Sequence, residues 1–180
     1  TIEPAIKKNI PIYVLNSMNP EHKGTAILPN PEISDGAKAV SWKENILMIN
    51  IFSPKMINAT GFVQKVFGVF SDNNISVDII STSEANISVT VPGTPDTDKL
   101  ISELSRFAEV HIDTNKSQVS VIGKNIVNHS DVLQRIVNAM NSFNIYMISQ
   151  GASNLSVSFA IARERLNQII STIHQNLFEL

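Results

Sequence analysis

The chain repeats itself, and that repeat limits its fold more than any other feature. Ile80-Ser-Thr-Ser-Glu-Ala-Asn-Ile-Ser-Val89 lies over Ile148-Ser-Gln-Gly-Ala-Ser-Asn-Leu-Ser-Val157, 68 residues further on, with five identities in ten. Upstream, Phe62-Val-Gln-Lys-Val-Phe-Gly-Val-Phe70 lies over Val132-Leu-Gln-Arg-Ile-Val-Asn-Ala-Met140, and Asn74-Ile75 over Asn144-Ile145, both at an offset of 70. Within 180 residues the fold must therefore be a small module built twice.

The first copy gives the module's element order. Leu47 to Phe52 reads as a strand, and Phe62, Val63, Val66, Phe67, Val69 and Phe70 recur at helical spacing. Two strands follow, near Val77–Ser81 and at Ile87, Val89 and Val91, where apolar residues alternate with Ser88 and Thr90. Thr94-Pro95-Asp96 supplies an N-cap, an N1 proline and a first-turn acid for a helix carrying Leu100, Ile101, Leu104 and Phe107. Val110 and Ile112 form the last strand. The order β-α-β-β-α-β predicts an α+β fold of two ferredoxin-like modules, each an antiparallel four-stranded sheet with both helices on one face.

The second copy has strands at Val119–Ile122, Ile145–Ser149 and Leu155–Ile161, a helix capped by Ser130, and a helix with Leu166, Ile169, Ile170, Ile173 and Leu177. It then ends one strand short, which would leave a sheet edge uncovered. Ala37-Lys38-Ala39-Val40-Ser41-Trp42 is the unassigned candidate. Residues 37–45 are therefore expected to complete the second module (115–180), so that the first module (46–114) is inserted within it. Residues 1–36 hold five of the eight prolines and one strand candidate, Ile10 to Leu15, and read as an edge plus linker with too little apolar surface to fold alone.

Composition excludes several function classes. Fourteen basic against sixteen acidic residues give a formal net charge of −2, so no positive field exists to gather nucleic acid or anionic lipid. The absence of cysteine removes disulfides, thiolate nucleophiles and Cys-ligated zinc, and suits the cytoplasm. Apolar runs such as Ile46-Leu47-Met48-Ile49 are far shorter than a membrane span, and Thr1-Ile2-Glu3-Pro4 does not open a signal peptide. The missing initiator Met suggests a fragment.

His22, His111, His129 and His174 are scattered, which predicts no metal site. No phosphate-binding glycine motif or nucleophile elbow occurs, so no catalytic residue is expected in this chain. The informative cluster lies in the first copy. Asn58-Ala59-Thr60-Gly61-Phe62 opens a helix whose first N–H groups could receive a small carboxylate. Asp78, with Thr82-Ser83-Glu84 after it, supplies acids and hydroxyls that could receive ammonium groups. Donors for a carboxylate beside acceptors for amines describe an amino-acid site. The plainer reading is that Gly61 permits tight packing while Asp78 and Glu84 cap turns on a solvated edge. The second copy has Gly151 and Ala152 in place of Ser83 and Glu84, so any site belongs to the first.

These residues carry a family resemblance. Phe62-Val-Gln-Lys-Val-Phe-Gly-Val-Phe followed by Asn74-Ile-Ser-Val-Asp-Ile-Ile-Ser-Thr-Ser-Glu84 closely resembles the tandem ACT regulatory region of aspartate kinases, particularly the lysine-sensitive type. Met147-Ile-Ser-Gln-Gly-Ala-Ser and His174-Gln-Asn-Leu-Phe-Glu179 are similar to that family's C-terminus, and Pro4-Ala-Ile-Lys-Lys-Asn-Ile-Pro-Ile to the tail of its kinase domain. The Lys-Phe-Gly-Gly-Thr-Ser type opening of the catalytic domain is absent.

The resemblance implies a regulatory fragment, non-catalytic by itself, whose parent phosphorylates aspartate; ATP and Mg²⁺ would bind the missing catalytic domain. It implies an effector site of Met56, Ala59, Gly61, Phe62, Val63, Val77, Asp78, Thr82, Ser83 and Glu84, with L-lysine the expected ligand, held between paired ACT modules of a homodimer. The family often has Ser where Ala59 stands. Alternatives are threonine, or lysine with threonine, as effector, and a parent fused to a second pathway enzyme. The same element order also builds RNA-recognition domains, which need strand-face aromatics and a basic surface.

Overall fold

The computed structural model describes residues 2–29, 31, 34–93, 96–151 and 153–179. The chain divides into two compact units, the first 34 residues and everything from Asp35 onward. In the first, α1 (Glu3–Lys7) is a short helix with proline in its opening turn, and β1 (Ile12–Val14) pairs antiparallel with β2 (Thr25–Ile27). The strand expected over Ile10–Leu15 is thus β1, shorter than predicted, while β2 and α1 are additions. None of the described residues of this unit is buried, in line with its scarce apolar surface.

The second unit runs β3 (Gly36–Phe52), α2 (Phe62–Asp72), β4 (Ile80–Thr82), β5 (Asn86–Pro92), α3 (Asp98–Leu104), β6 (Glu109–Lys124), α4 (Ser130–Ala139), β7 (Ile145–Ser149), β8 (Ser156–Ala162) and α5 (Leu166–Phe178). Its strands form one antiparallel sheet in the order β4-β5-β3-β6-β8-β7. Two separate four-stranded sheets were the expectation. They are continuous instead, because β3 and β6 do not stop between modules. Ile46–Phe52 stands between β5 and the first half of β6, whereas Gly36–Lys43 pairs with the second half of β6, Val40 opposite Val121. Val40 therefore lies in the second module's part of the sheet.

Period-2 alternation sorts the residues of these strands. Leu47, Ile49 and Ile51 turn toward α2 and α3, packing with Val66, Phe70, Leu100 and Leu104. Val119, Val121, Val157, Phe159 and Ile161 pack with α4 and α5 through Ile136, Ile169 and Ile173. Each such side chain, fully buried, contributes about 1.5–3 kcal/mol, so each module has its own core. On the opposite face Ile46, Met48, Ile79, Met147 and Ala160 form a third, smaller apolar cluster. It occupies the face on which an RNA-recognition domain would present its stacking aromatics. Between the modules the pairing of β3 and β6 shifts register from Lys43 to Ile46 and again before Met48, with Asn45 at φ +54°, the mark of a bulge.

Several local expectations change. The strand near Val77–Ser81 is Ile80–Thr82, although Asp78 N–H still donates to Thr90 O at 2.8 Å and Thr90 N–H to Ile79 O at 2.9 Å. Ser130 is the first residue of α4, and the N-cap position is His129, so the Ser130 cap is corrected by one residue. Thr94 and Pro95 lie outside the described residues. The helix expected to start there begins at Asp98, whose N–H is accepted by Asp96 Oδ1 at 3.1 Å. Phe107 falls just beyond α3 and packs against the first core from there.

Candidate functional site

The ten residues singled out in the first repeat lie on two segments, and a main-chain hydrogen bond joins those segments. The chain leaves β3 at Ser53, passes through a 3-10 turn at Pro54–Met56, and enters α2 after Gly61. Ser53 N–H donates to Ala85 O at 2.9 Å, and Ser83 N–H to Asn86 O at 2.8 Å. The loop carrying Met56, Ala59 and Gly61 and the turn carrying Ser83 and Glu84 therefore stand at the same end of the sheet.

Gly61 is the N-cap of α2, with φ +83° and no side chain to cap with. A Cβ built there would meet nothing within 4 Å. Tight packing is therefore not what the glycine provides. It supplies a left-handed backbone that other residues adopt at a cost. The first helical bond of this turn runs from Lys65 N–H to Gly61 O at 3.0 Å, so the N–H groups of Phe62, Val63 and Gln64 are the first-turn donors without a helical acceptor. They sit at the positive end of an eleven-residue helix.

Packing divides the remaining members. Met56, Phe62 and Val77 are half-buried against the first core, and the Phe62 ring stands edge-on to Phe107 with centroids 5.8 Å apart. Ala59, Val63, Asp78, Thr82, Ser83 and Glu84 are exposed, Val63 at 41%. An exposed valine at the opening of a helix is free to contact something outside this chain. A cleft of about 400 Å³ beside the loop, lined by Pro54, Lys55, Arg106 and Phe107 among others, contains none of the ten residues.

The two acids stand on either side of β4. Asp78 precedes β4, bonded through its N–H to Thr90 O, and Glu84 sits in the turn after β4 that the Ser83 N–H to Asn86 O bond closes. Six residues at about 3.3 Å each put their Cα atoms at most roughly 20 Å apart. Glu84 has no side-chain partner among the described residues. Asp78 has one that the sequence did not suggest: its Oδ2 accepts from Lys43 Nζ at 2.8 Å, across 35 residues of chain. Asp78 is thus an ion-pair partner rather than a turn cap. No spacing rule connects a residue on β3 with one before β4, so only the folded sheet reveals the pair.

In the second repeat the equivalent strand-to-helix passage carries its own side-chain cluster. Asp35 Oδ2 accepts from Asn125 Nδ2 at 3.0 Å, with Lys124 and His129 each 3.8 Å from the carboxylate. The Asn125 amide first, then the nearby Lys124 and His129, hold the Asp35 carboxyl below the usual carboxylate range. Gly151 stands at φ +90°, and Ala152 lies outside the described residues. Among the described residues no cluster of three His, Asp or Glu is placed to hold a metal, and no helix is long and apolar enough to cross a membrane.

Comparison with known proteins agrees with the two-module reading. A family model described as the ACT domain matches residues 49–99 and again 119–177. Lysine-sensitive aspartokinase 3 of Escherichia coli (strain K12) is 30% identical over 187 residues, covering 99% of this chain and 42% of that protein. Two crystal structures of E. coli aspartokinase III, each 31% identical, cover 99% of this chain. One, with aspartate and ADP (R-state), has a TM-score of 0.89 and is covered over 42% of its length. The other, with lysine and aspartate (T-state), has 0.86 and is covered over 41%. The chain thus spans about two fifths of these proteins.

Proposed function

Since the chain belongs to the ACT-domain family, in the tandem form that it shares with aspartokinase regulatory regions, we propose that it senses an end-product amino acid, L-lysine, and relays its level to an attached aspartate kinase. The parent would transfer phosphate from ATP to the β-carboxylate of aspartate, with Mg²⁺, in a catalytic portion outside this chain. The observation that carries the reading is the hydrogen bond from Ser53 to Ala85. It brings uncapped helix donors, suited to a carboxylate, to the same end of the sheet as Glu84, suited to an ammonium.

Separation of the acids supports a shared site. A run of six residues between Asp78 and Glu84 favours a site in which the two acids come from two copies placed side by side. The exposed Val63 favours the same arrangement. A second acid with no internal partner favours lysine over threonine, which has one amine. Lysine binding the inhibited arrangement better by about 1–3 kcal/mol would suffice for feedback.

Calorimetric titration of this chain with lysine, threonine and methionine tests the proposal. Saturable binding of lysine above the other two is expected. Binding of threonine alone would move the assignment to the threonine-sensing reading, and binding of none would end it.

A further inference from the structure

We propose that Lys43 is an internal competitor for the effector: its ammonium occupies Asp78 while the site is empty and must leave when a ligand ammonium arrives. This rests on the amino-acid-sensing reading above and adds a device within the same site.

Three observations carry it. Lys43 Nζ lies 2.8 Å from Asp78 Oδ2, so one of the two acids assigned to ligand amines already holds an amine from this chain. Lys43 also stands where β3 and β6 lose register, at the junction of the two modules, and not on the module that carries Asp78. The third observation is an alternative partner. Lys43 is paired across the sheet with Gln118, which places both side chains on the same face. The Gln118 amide nitrogen donates to Ser120 Oγ at 3.2 Å, while its Oε1 is buried with no donor in reach among the described residues. A buried acceptor without a donor is costly, so an ammonium released from Asp78 has a favourable place to go.

The result is a lysine with two seats. Without effector it sits on Asp78; with effector it turns to Gln118, at the bulge joining the modules. Ligand arrival in the first module is thereby felt at the strand that continues into the second. Because an ion pair is exchanged, and not created, the arriving ligand gains less from Asp78 than from an unpaired acid. Lys43 therefore sets the effector threshold upward.

The test is calorimetric titration of lysine into this chain, as wild type, Lys43→Met and Lys43→Arg, at low and high salt. An exchanged pair of this exposure predicts that Lys43→Met tightens lysine binding about threefold to tenfold, and that the gain shrinks as salt screens the newly formed pair. Lys43→Arg, which keeps the charge, stays close to wild type. Equal or weaker binding by Lys43→Met, with wild type binding normally, overturns the competitor and leaves the sensing reading standing. If neither wild type nor Lys43→Met binds lysine or threonine, the sensing reading fails and takes this inference with it. Unchanged circular dichroism and thermal midpoint establish that Lys43→Met is folded; for a misfolded protein, Lys43→Gln carries the same prediction.

Discussion

Ser53 donates its main-chain N–H to the carbonyl of Ala85 at 2.9 Å, tying the exit of β3 to the turn between β4 and β5. The same serine's hydroxyl donates to Phe107 O at 3.2 Å, so it also fixes the entry to β6. It is 3% exposed. Ser53→Ala keeps the main-chain bond and removes only the buried hydroxyl's, leaving Phe107 O without its donor. A loss of about 1–2 kcal/mol in urea unfolding is expected, with effector affinity little changed.

Gly61 holds a left-handed backbone at the opening of α2. Gly61→Ala has room for its methyl group, so steric damage is not expected. The alanine is nonetheless asked to hold φ +83°, at a cost of about 1 kcal/mol. Urea unfolding should show that loss. Calorimetry should show weaker lysine binding, because the strain is relieved by rotating the first-turn N–H groups away from the ligand.

Core and site should separate cleanly under mutation. Phe159 is fully buried in the second core, so Phe159→Ala should cost about 3–5 kcal/mol. Val63→Ala, at an exposed position, should change folding stability by under about 0.5 kcal/mol while weakening self-association and effector binding. Sedimentation velocity and denaturant titration of both variants provide the check.

Acid sensitivity has a local source at the module junction. Lys116, 4% exposed, donates to Asp113 and lies over the Tyr146 ring, 4.0 Å from its centroid. The Lys116 hydrogen bond, helped by the Asn115 main-chain N–H and the lysine's charge, lowers the Asp113 carboxyl below its ordinary 3.8. A depressed folded value means that the pair's stabilisation is complete above that ordinary value and fades as pH falls through the lower folded one. Asp113→Asn should therefore be less stable than wild type at neutral pH, by under about 1 kcal/mol given the exposure of Asp113, and equal to it in strong acid. Thermal melts across pH 2–7 would show the two curves converging on the acid side.

Much of this fold is legible in the sequence because the relevant signals are local. The repeat offset, the period-2 runs of β5 and β8, and the helical spacing of α2 and α5 each come from neighbouring residues. Arithmetic, with one strand missing and one segment spare, points to residues 37–45, and Gly36–Lys43 does pair with the second half of β6. What escaped was long-range. The continuity of β3 and β6 through both modules depends on a bulge at Asn45 that no local sequence pattern marks. The pairs Lys43–Asp78 and Asp35–Asn125 span 35 and 90 residues and obey no sequence spacing. The sequence places Gly61 at the opening of α2, but its left-handed conformation is visible only in the backbone angle.

The two acids should each matter to the ligand and not to the fold. Asp78→Asn and Glu84→Gln remove charged acceptors at exposed positions, so each should weaken lysine binding about tenfold or more with the thermal midpoint little changed. Calorimetry on the separate variants gives the comparison.

Mixing those two variants tests the shared site directly. Dimers carrying Asp78→Asn in one copy and Glu84→Gln in the other, isolated with two different affinity tags, contain one pocket lacking both acids and one with both intact, provided each pocket draws one acid from each copy. Calorimetry should then recover near wild-type lysine affinity at half the wild-type stoichiometry, although each variant alone binds weakly. If the mixed dimers bind as weakly as the single variants do, both acids act within one chain and the two-copy effector site is wrong.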